Sequence, residues 1–270
     1  MQLGIGSYTF TWAVGVPGSI PPNPMTAMDL LGKAASLGVK IVQFCDNLPL
    51  DKLTSAELDA LDSRAKELGI GIEVGTRGIK PDHLRAYLDL ARRLGSPIVR
   101  VVVDTADHKP SEDEIIVLIK EVIPEFERAD VCLAIENHDR FTASEFVRII
   151  ERIGSPNVGI CLDTVNSFGA LEGPEVVVNA LTPWTVNLHV KDFLIRRADH
   201  MMGFTIEGTP AGKGRLDVPW LLEKLRAAGR DPNAILELWT PPEDSIEKTI
   251  AKEDSWAQES VGYLRRMIHE

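Results

Sequence analysis

With 270 residues, 44% hydrophobic and 26% charged, the chain has the length of one α/β barrel and the balance of an ordinary globular protein. Its 40 acidic residues outnumber 29 basic ones, and the net charge of −11 repels a phosphate backbone, which speaks against a nucleic-acid partner. No run reaches the roughly 18 apolar residues of a membrane span, MQLGIGSYTF lacks a secretory pattern, and Cys45, Cys132 and Cys161 are too sparse for a disulfide framework; a cytoplasmic protein is expected.

The first apolar run, LGIGSYTF (3–10), is followed by a helical segment at 26–37, in which Met28, Leu31, Ala35 and Leu37 approximate one face. VKIVQFC (39–45) precedes 54–68, opened by Thr54 and Glu57 at capping-box spacing and closed by Gly69. IGIEVG (70–75) precedes 81–94, with Pro81 at the first turn and Gly95 beyond the last. IVRVVVD (98–104) leads to 111–129, which begins with Ser111 and Glu114 and which Pro124 is expected to kink or break. VCLAIEN (131–137) then pairs with 142–153, and VGICLD (158–163) with 174–181. TVNLHVKD (185–192) pairs with 217–228, and AILELWT (234–240) with a C-terminal helix at about 246–268.

Seven of these runs are apolar enough to be buried on both faces, as strands of a helix-covered parallel sheet must be. Strict alternation of eight strands and eight helices predicts one α/β domain over 1–270, a (β/α)₈ TIM barrel. One interval departs from the period. His189 and Glu237 are 48 residues apart (237 − 189), and the excess lies in the Gly-rich, basic stretch 193–216, expected to be a long active-site loop.

Glu136, Asp163, His189 and Glu237 interrupt the fifth to eighth strands near their carboxyl ends. Charged groups in such places are costly to bury unless paired or bound to metal, and three carboxylates together repel one another without a cation. The four are therefore expected to hold one divalent ion, and the oxygen-rich donor set favours Mn²⁺, Mg²⁺ or Co²⁺ over structural zinc. Strand alternation puts Lys191 on the same face as His189. With His138, Asn166, Arg196, Arg197 and Lys213 it forms a local polar and mainly basic set expected to bind an anionic substrate. Tyr8, Phe10 and Trp12 could wall the pocket or pack in the core, whereas Asp46, Asn47, Glu73, Arg77 and Asp104 are read as caps or internal pairs.

LAIENHDRF, GICLDTVN, NLHVKDF, GKGRLDVPWLLEKLRAAG and ILELWT resemble the xylose-isomerase-like barrel superfamily of sugar isomerases and epimerases over nearly the whole chain. The resemblance implies that Glu136, Asp163, His189 and Glu237 are metal ligands, and that Glu136 and Glu237 face each other across the substrate as an acid/base pair. Several epimerases of the group carry His where this chain has Asn166, and some carry a second Glu where it has Thr142. GTPAGKGRLD, ELWTPPE and AKEDSWAQESVGYLR are similar to a branch associated with 3-oxo-isoapionate decarboxylases as well as with unassigned isomerases.

An enzyme is expected that passes a small keto-sugar or sugar acid through a metal-stabilised enediolate. Isomerase or epimerase is the first reading, with a lyase, decarboxylase or dehydratase, as the alternative. An endonuclease IV-like nuclease shares the barrel, but the early strands lack its extra histidines. A non-catalytic scaffold does not account for ligands on four strands. A homo-oligomer is compatible with all of these.

Overall fold

The computed structural model describes residues 1–268; His269, to which no role was attached, lies outside them. Eight parallel strands close a barrel in which each strand lies beside its neighbour in sequence: β1 (Leu3–Gly6), β2 (Ile41–Phe44), β3 (Gly71–Arg77), β4 (Ile98–Val102), β5 (Cys132–Glu136), β6 (Val158–Asp163), β7 (Thr185–Val190) and β10 (Asn233–Leu236). Between β7 and β10 runs an antiparallel hairpin, β8 (Asp192–Arg197) with β9 (Phe204–Thr209). Half of the interval expected to be a loop is thus paired strand, its alternating Phe193, Ile195, Arg197 and Phe204, Ile206, Gly208 being compatible with a two-stranded ribbon.

The helices are α1 (Thr11–Val14), α2 (Ala27–Leu37), α3 (Ser55–Leu68), α4 (Pro81–Leu94), α5 (Glu112–Ala129), α6 (Ala143–Ile153), α7 (Pro174–Leu181), α8 (Val218–Ala227) and α9 (Ile246–Leu264). Local chemistry explains their ends. Thr54 and Glu57 cap each other reciprocally at α3, Pro81 is the first residue of α4, and Gly38, Gly69, Gly95 and Gly154 close helices in the left-handed conformation. Pro124 does not break α5. It lies on the solvent side, where the Lys120 carbonyl left without a donor is open to water. The first strand is shorter than expected: the Gly6 N–H donates to Thr9 Oγ1, and the chain turns into a 3₁₀ segment at Ser7–Phe10.

Two packing regions result. The outward-facing strand residues, such as Val42, Leu133, Leu162 and Leu188, join the helices in one continuous apolar layer. The barrel interior holds a smaller apolar cluster of Ile98, Ala134 and Cys161, and Ile41 and Ile235 crowd Gly4 at its floor. Much of the remaining interior is polar: Gln43, Glu73, Arg100, Asn187 and His189 are all buried. The strands are therefore apolar toward the helices but chemically mixed toward the axis, and this column supports the mouth above it.

Candidate active site

Glu136 and Asp163 end β5 and β6, His189 precedes the last residue of β7, and Glu237 follows β10, still tied to the ladder by its N–H to the Val190 carbonyl at 3.1 Å. All four side chains are buried. Donor atoms of Asp163, His189 and Glu237 lie within 4.8 Å of one another. Glu136 adjoins them through His189, its Oε2 3.2 Å from Nδ1, with Glu237 Oε1 at 3.3 Å and Asp163 Oδ2 at 3.8 Å from the same nitrogen.

Each side chain is aimed by contacts of its own. Asp163 Oδ1 accepts the N–H groups of Val165 and Asn166, both at 2.8 Å, which leaves Oδ2 facing the centre. Gln43 sets the His189 ring. Its Nε2 donates to Glu73 Oε2 at 3.0 Å and Asn187 Oδ1 at 2.9 Å, so Oε1 must face His189 Nε2, 2.7 Å away, and accept its proton. Nδ1 is then the bare nitrogen, and it points at the three carboxylates.

Asp163 Oδ2, His189 Nδ1 and both Glu237 carboxylate oxygens are buried without a hydrogen-bond partner. Such orphans are costly. Lys191 Nζ, 2.8 Å from Asp163 Oδ2 and 2.8 Å from Glu237 Oε2, offsets the charge, though not in hydrogen-bond alignment. Burial disfavours a charged His189 ring, yet Cys161, Glu237 and Glu136 outweigh it and raise the ring well above its ordinary value. Burial opposes the Lys191 charge as well, and Asp163, Glu237 and Glu136 again prevail. The pocket calls for positive charge at Nδ1. A divalent ion fits this donor set of carboxylate oxygens and one imidazole nitrogen.

Glu136 differs from its neighbours. Its Oε2 is held by the Nε of Arg100, a side chain only 2% exposed, and its Oε1 accepts from Asn166 Nδ2 at 2.7 Å. Burial alone would raise this carboxyl; Arg100 and His189 hold it well below the usual range. Arg100 also reaches Asp46 Oδ1 at 3.0 Å, and Asp46 Oδ2 receives Arg77 Nε at 3.0 Å and Tyr8 Oη at 3.1 Å. Asp46 and Arg77 are thus internal pairs, and Glu73 lies beneath the site in its amide network. Gln43 and Arg100 were missed in the sequence. The available signal was the same as in the late strands: a polar residue inside an apolar run, VKIVQFC and IVRVVVD.

Above this centre opens a cleft of about 640 Å³, walled by Trp12, Val165, Phe168, Leu238 and Trp239, with Tyr8, His138, Asn166 and Lys191 among its polar groups. Lys191, His138 and Asn166 are therefore brought to the mouth. Arg196, Arg197 and Lys213 are not among the residues lining it. Arg196 pairs with Glu207 on the hairpin, Arg197 stacks over Phe204, and Lys213 pairs with Glu259 on α9, all three largely exposed.

Residues 31–267 match the sequence model of the xylose isomerase-like TIM barrel family. The chain belongs to that family. A 3-oxo-isoapionate decarboxylase of Pectobacterium atrosepticum is 38% identical over 264 residues, 98% of this chain and 95% of that one. Two solved barrels share the fold. A D-psicose 3-epimerase crystallised with D-fructose has a TM-score of 0.75 and 18% identity, with 100% of both chains covered. A xylose isomerase-like barrel from Mycobacterium smegmatis, in complex with magnesium, has a TM-score of 0.68 and 14% identity over 97% of each chain. This chain is accordingly an enzyme of the xylose isomerase-like family. Among the described residues, no helix is long and apolar enough to cross a membrane.

Proposed function

We propose that this family member is a divalent-metal-dependent decarboxylase of a small 3-oxo sugar acid. The observation that carries the reading is the state of Glu136. Epimerisation by two opposed carboxylates needs a free base on each face of the substrate. Both Glu136 oxygens are occupied, by Arg100 and Asn166, so one of the two bases is tied down. Decarboxylation removes CO₂ rather than a proton and has no need of that base. The kinship with a 3-oxo-isoapionate decarboxylase supports the same reading, and favours it over the isomerase or epimerase that the family resemblance put first.

Asp163, His189 and Glu237, with Glu136 alongside, would hold the ion, which when bound would supply an electron sink for the reaction. The chain's own groups do the rest. Lys191 holds positive charge at the mouth, beside Asp163 and Glu237, where the substrate's anionic oxygens gather. Trp12, Val165, Phe168 and Leu238 form an apolar wall against which a carboxylate loses water and becomes a neutral gas on departure. The bond from the carboxyl carbon to its neighbour breaks, its electron pair moves toward the keto oxygen, and that neighbour then takes one proton.

The test is incubation of the Mn²⁺-loaded protein in D₂O with a 3-oxo sugar acid and, separately, with ketoses. One CO₂ per turnover, with one deuterium at the carbon that lost it, is expected. Ketose epimerisation with solvent exchange and no CO₂ release from the acid would overturn the reading.

A further inference from the structure

We propose that the barrel contains a second cation position, one step deeper than the first and mutually exclusive with it, built by Cys161, His189 and Glu136 and selective for thiophilic divalent ions such as Zn²⁺ and Cd²⁺. Cys161 lies two residues before Asp163 on β6, so it points to the same interior side one layer lower. Donor atoms of Glu136, Cys161 and His189 lie within 4.8 Å of one another, and all three side chains are buried. Glu136 Oε2 is 3.2 Å from His189 Nδ1 and 4.0 Å from Cys161 Sγ, which is 3.3 Å from Asn187 Oδ1. Bonds of about 2.0–2.3 Å place tetrahedral ligand atoms roughly 3.3–3.8 Å apart; the Glu136–His189 and Glu136–Cys161 separations lie just either side of that range, so a small adjustment of the three side chains closes them on an ion. His189 Nδ1, buried and without a hydrogen-bond partner, faces into the cluster.

Because His189 Nδ1 belongs to both donor sets, one ion at a time can use it. Hard ions gain most from carboxylate oxygens and settle with Asp163 and Glu237; soft or borderline ions gain from sulfur. Arg100, held against Glu136, repels any cation at the deeper position. Only an ion that forms a bond to sulfur overcomes that charge. When it binds, the Cys161 thiol loses its proton to solvent and the sulfur–metal bond forms. An ion seated there takes His189 away from Asp163 and Glu237, so thiophilic metals occupy the enzyme without serving it.

The experiment titrates the full chain with Cd²⁺, reading the ultraviolet cadmium–thiolate absorption, and measures Mn²⁺ displacement by electron paramagnetic resonance. One Cd²⁺ per chain, a thiolate band and release of bound Mn²⁺ are expected. In Cys161→Ser the band disappears and Cd²⁺ affinity falls about tenfold or more, whereas Mn²⁺ affinity changes by less than about threefold. Cys45→Ser, whose thiol faces Gln43, keeps the band. A wild-type protein without the band, or Cys161→Ser that binds Cd²⁺ as tightly as wild type, would overturn the proposal. If Cys161→Ser does not fold, the wild-type band and its retention in Cys45→Ser decide. Failure of Mn²⁺ to bind at all counts instead against the decarboxylase reading, so the two ideas fail separately.

Discussion

His189 shows how far the direction of a site side chain is set by residues outside the four strand ends. Its Nε2 is turned to Gln43 Oε1, and Gln43 is itself oriented by Glu73 and Asn187. Burial raises the Glu73 carboxyl despite the hydrogen bonds from Asn233, Gln43 and Asn187, so this support stands in a dry, poorly screened place. Replacing Gln43 by Leu removes the acceptor that keeps the proton on Nε2, and Nδ1 no longer arrives bare. Gln43→Leu should weaken Mn²⁺ binding by about 10–100-fold, as isothermal titration calorimetry will read; unchanged affinity would show that the ring needs no such guide. Arg100 acts similarly on Glu136. Among the residues given catalytic or binding roles from the sequence, Asn166 gains the most specific contact, a hydrogen bond to Glu136 that no spacing pattern suggested.

Among the elements, the β8–β9 hairpin is what distinguishes the last third of the barrel. Its base is organised by Asp192. The Asp192 Oδ2 accepts the N–H groups of Gly212 and Gly214, each at 2.9 Å, and Oδ1 accepts those of Leu216 at 2.9 Å and Phe193 at 2.8 Å. A side chain at position 214 would bring its Cβ within 2.2 Å of Asp192 Oδ1, so glycine is required for the loop to close on the carboxylate. Hydrogen bonds to a charged acceptor each contribute about 1.5–3 kcal/mol. Because water and loop relaxation recover part of the four bonds, Asp192→Ala should cost at least about 3 kcal/mol in urea unfolding and speed amide exchange at Gly212, Gly214 and Leu216 first. Uniform protection across the variant would show that the loop is held otherwise. Element order, and most helix ends, were legible in the sequence because capping residues and apolar period act over a few residues. The hairpin was not, since its pairing joins segments that look like basic, Gly-rich loop when taken one at a time.

At the scale of the whole molecule, α9 closes the chain against its beginning. Glu253, on α9, is fully buried and accepts the N–H groups of Trp12 at 3.1 Å and Ala13 at 3.2 Å, beside the pocket wall. Burial pushes its carboxyl up to about 7 despite those hydrogen bonds, and Asp254 adds to the rise. A carboxyl raised on folding favours the protonated native state, so its contribution is full below the unfolded value near 4.5 and is lost as pH climbs to about 7. The difference amounts to about 3 kcal/mol. Glu253→Gln stays neutral, so its stability relative to wild type should improve as pH rises from about 5 to 8, read as the melting-temperature difference. A difference that does not vary with pH would remove Glu253 from this role.

The sequence by itself determined the barrel and nominated the strand ends that bear its chemistry, because apolar period, caps and strand polarity are local and survive reading one residue after another. Only the tertiary structure decided which of those groups share a point. Closure of the sheet brings Gln43 to His189 across 146 residues and Arg100 to Glu136 across 36. The hairpin carries Arg196 and Arg197 into ion pairing and stacking on its own surface instead of into the cleft. Such meetings depend on strand register and the direction of each side chain, which are set once the ring closes and have no trace in spacing along the chain.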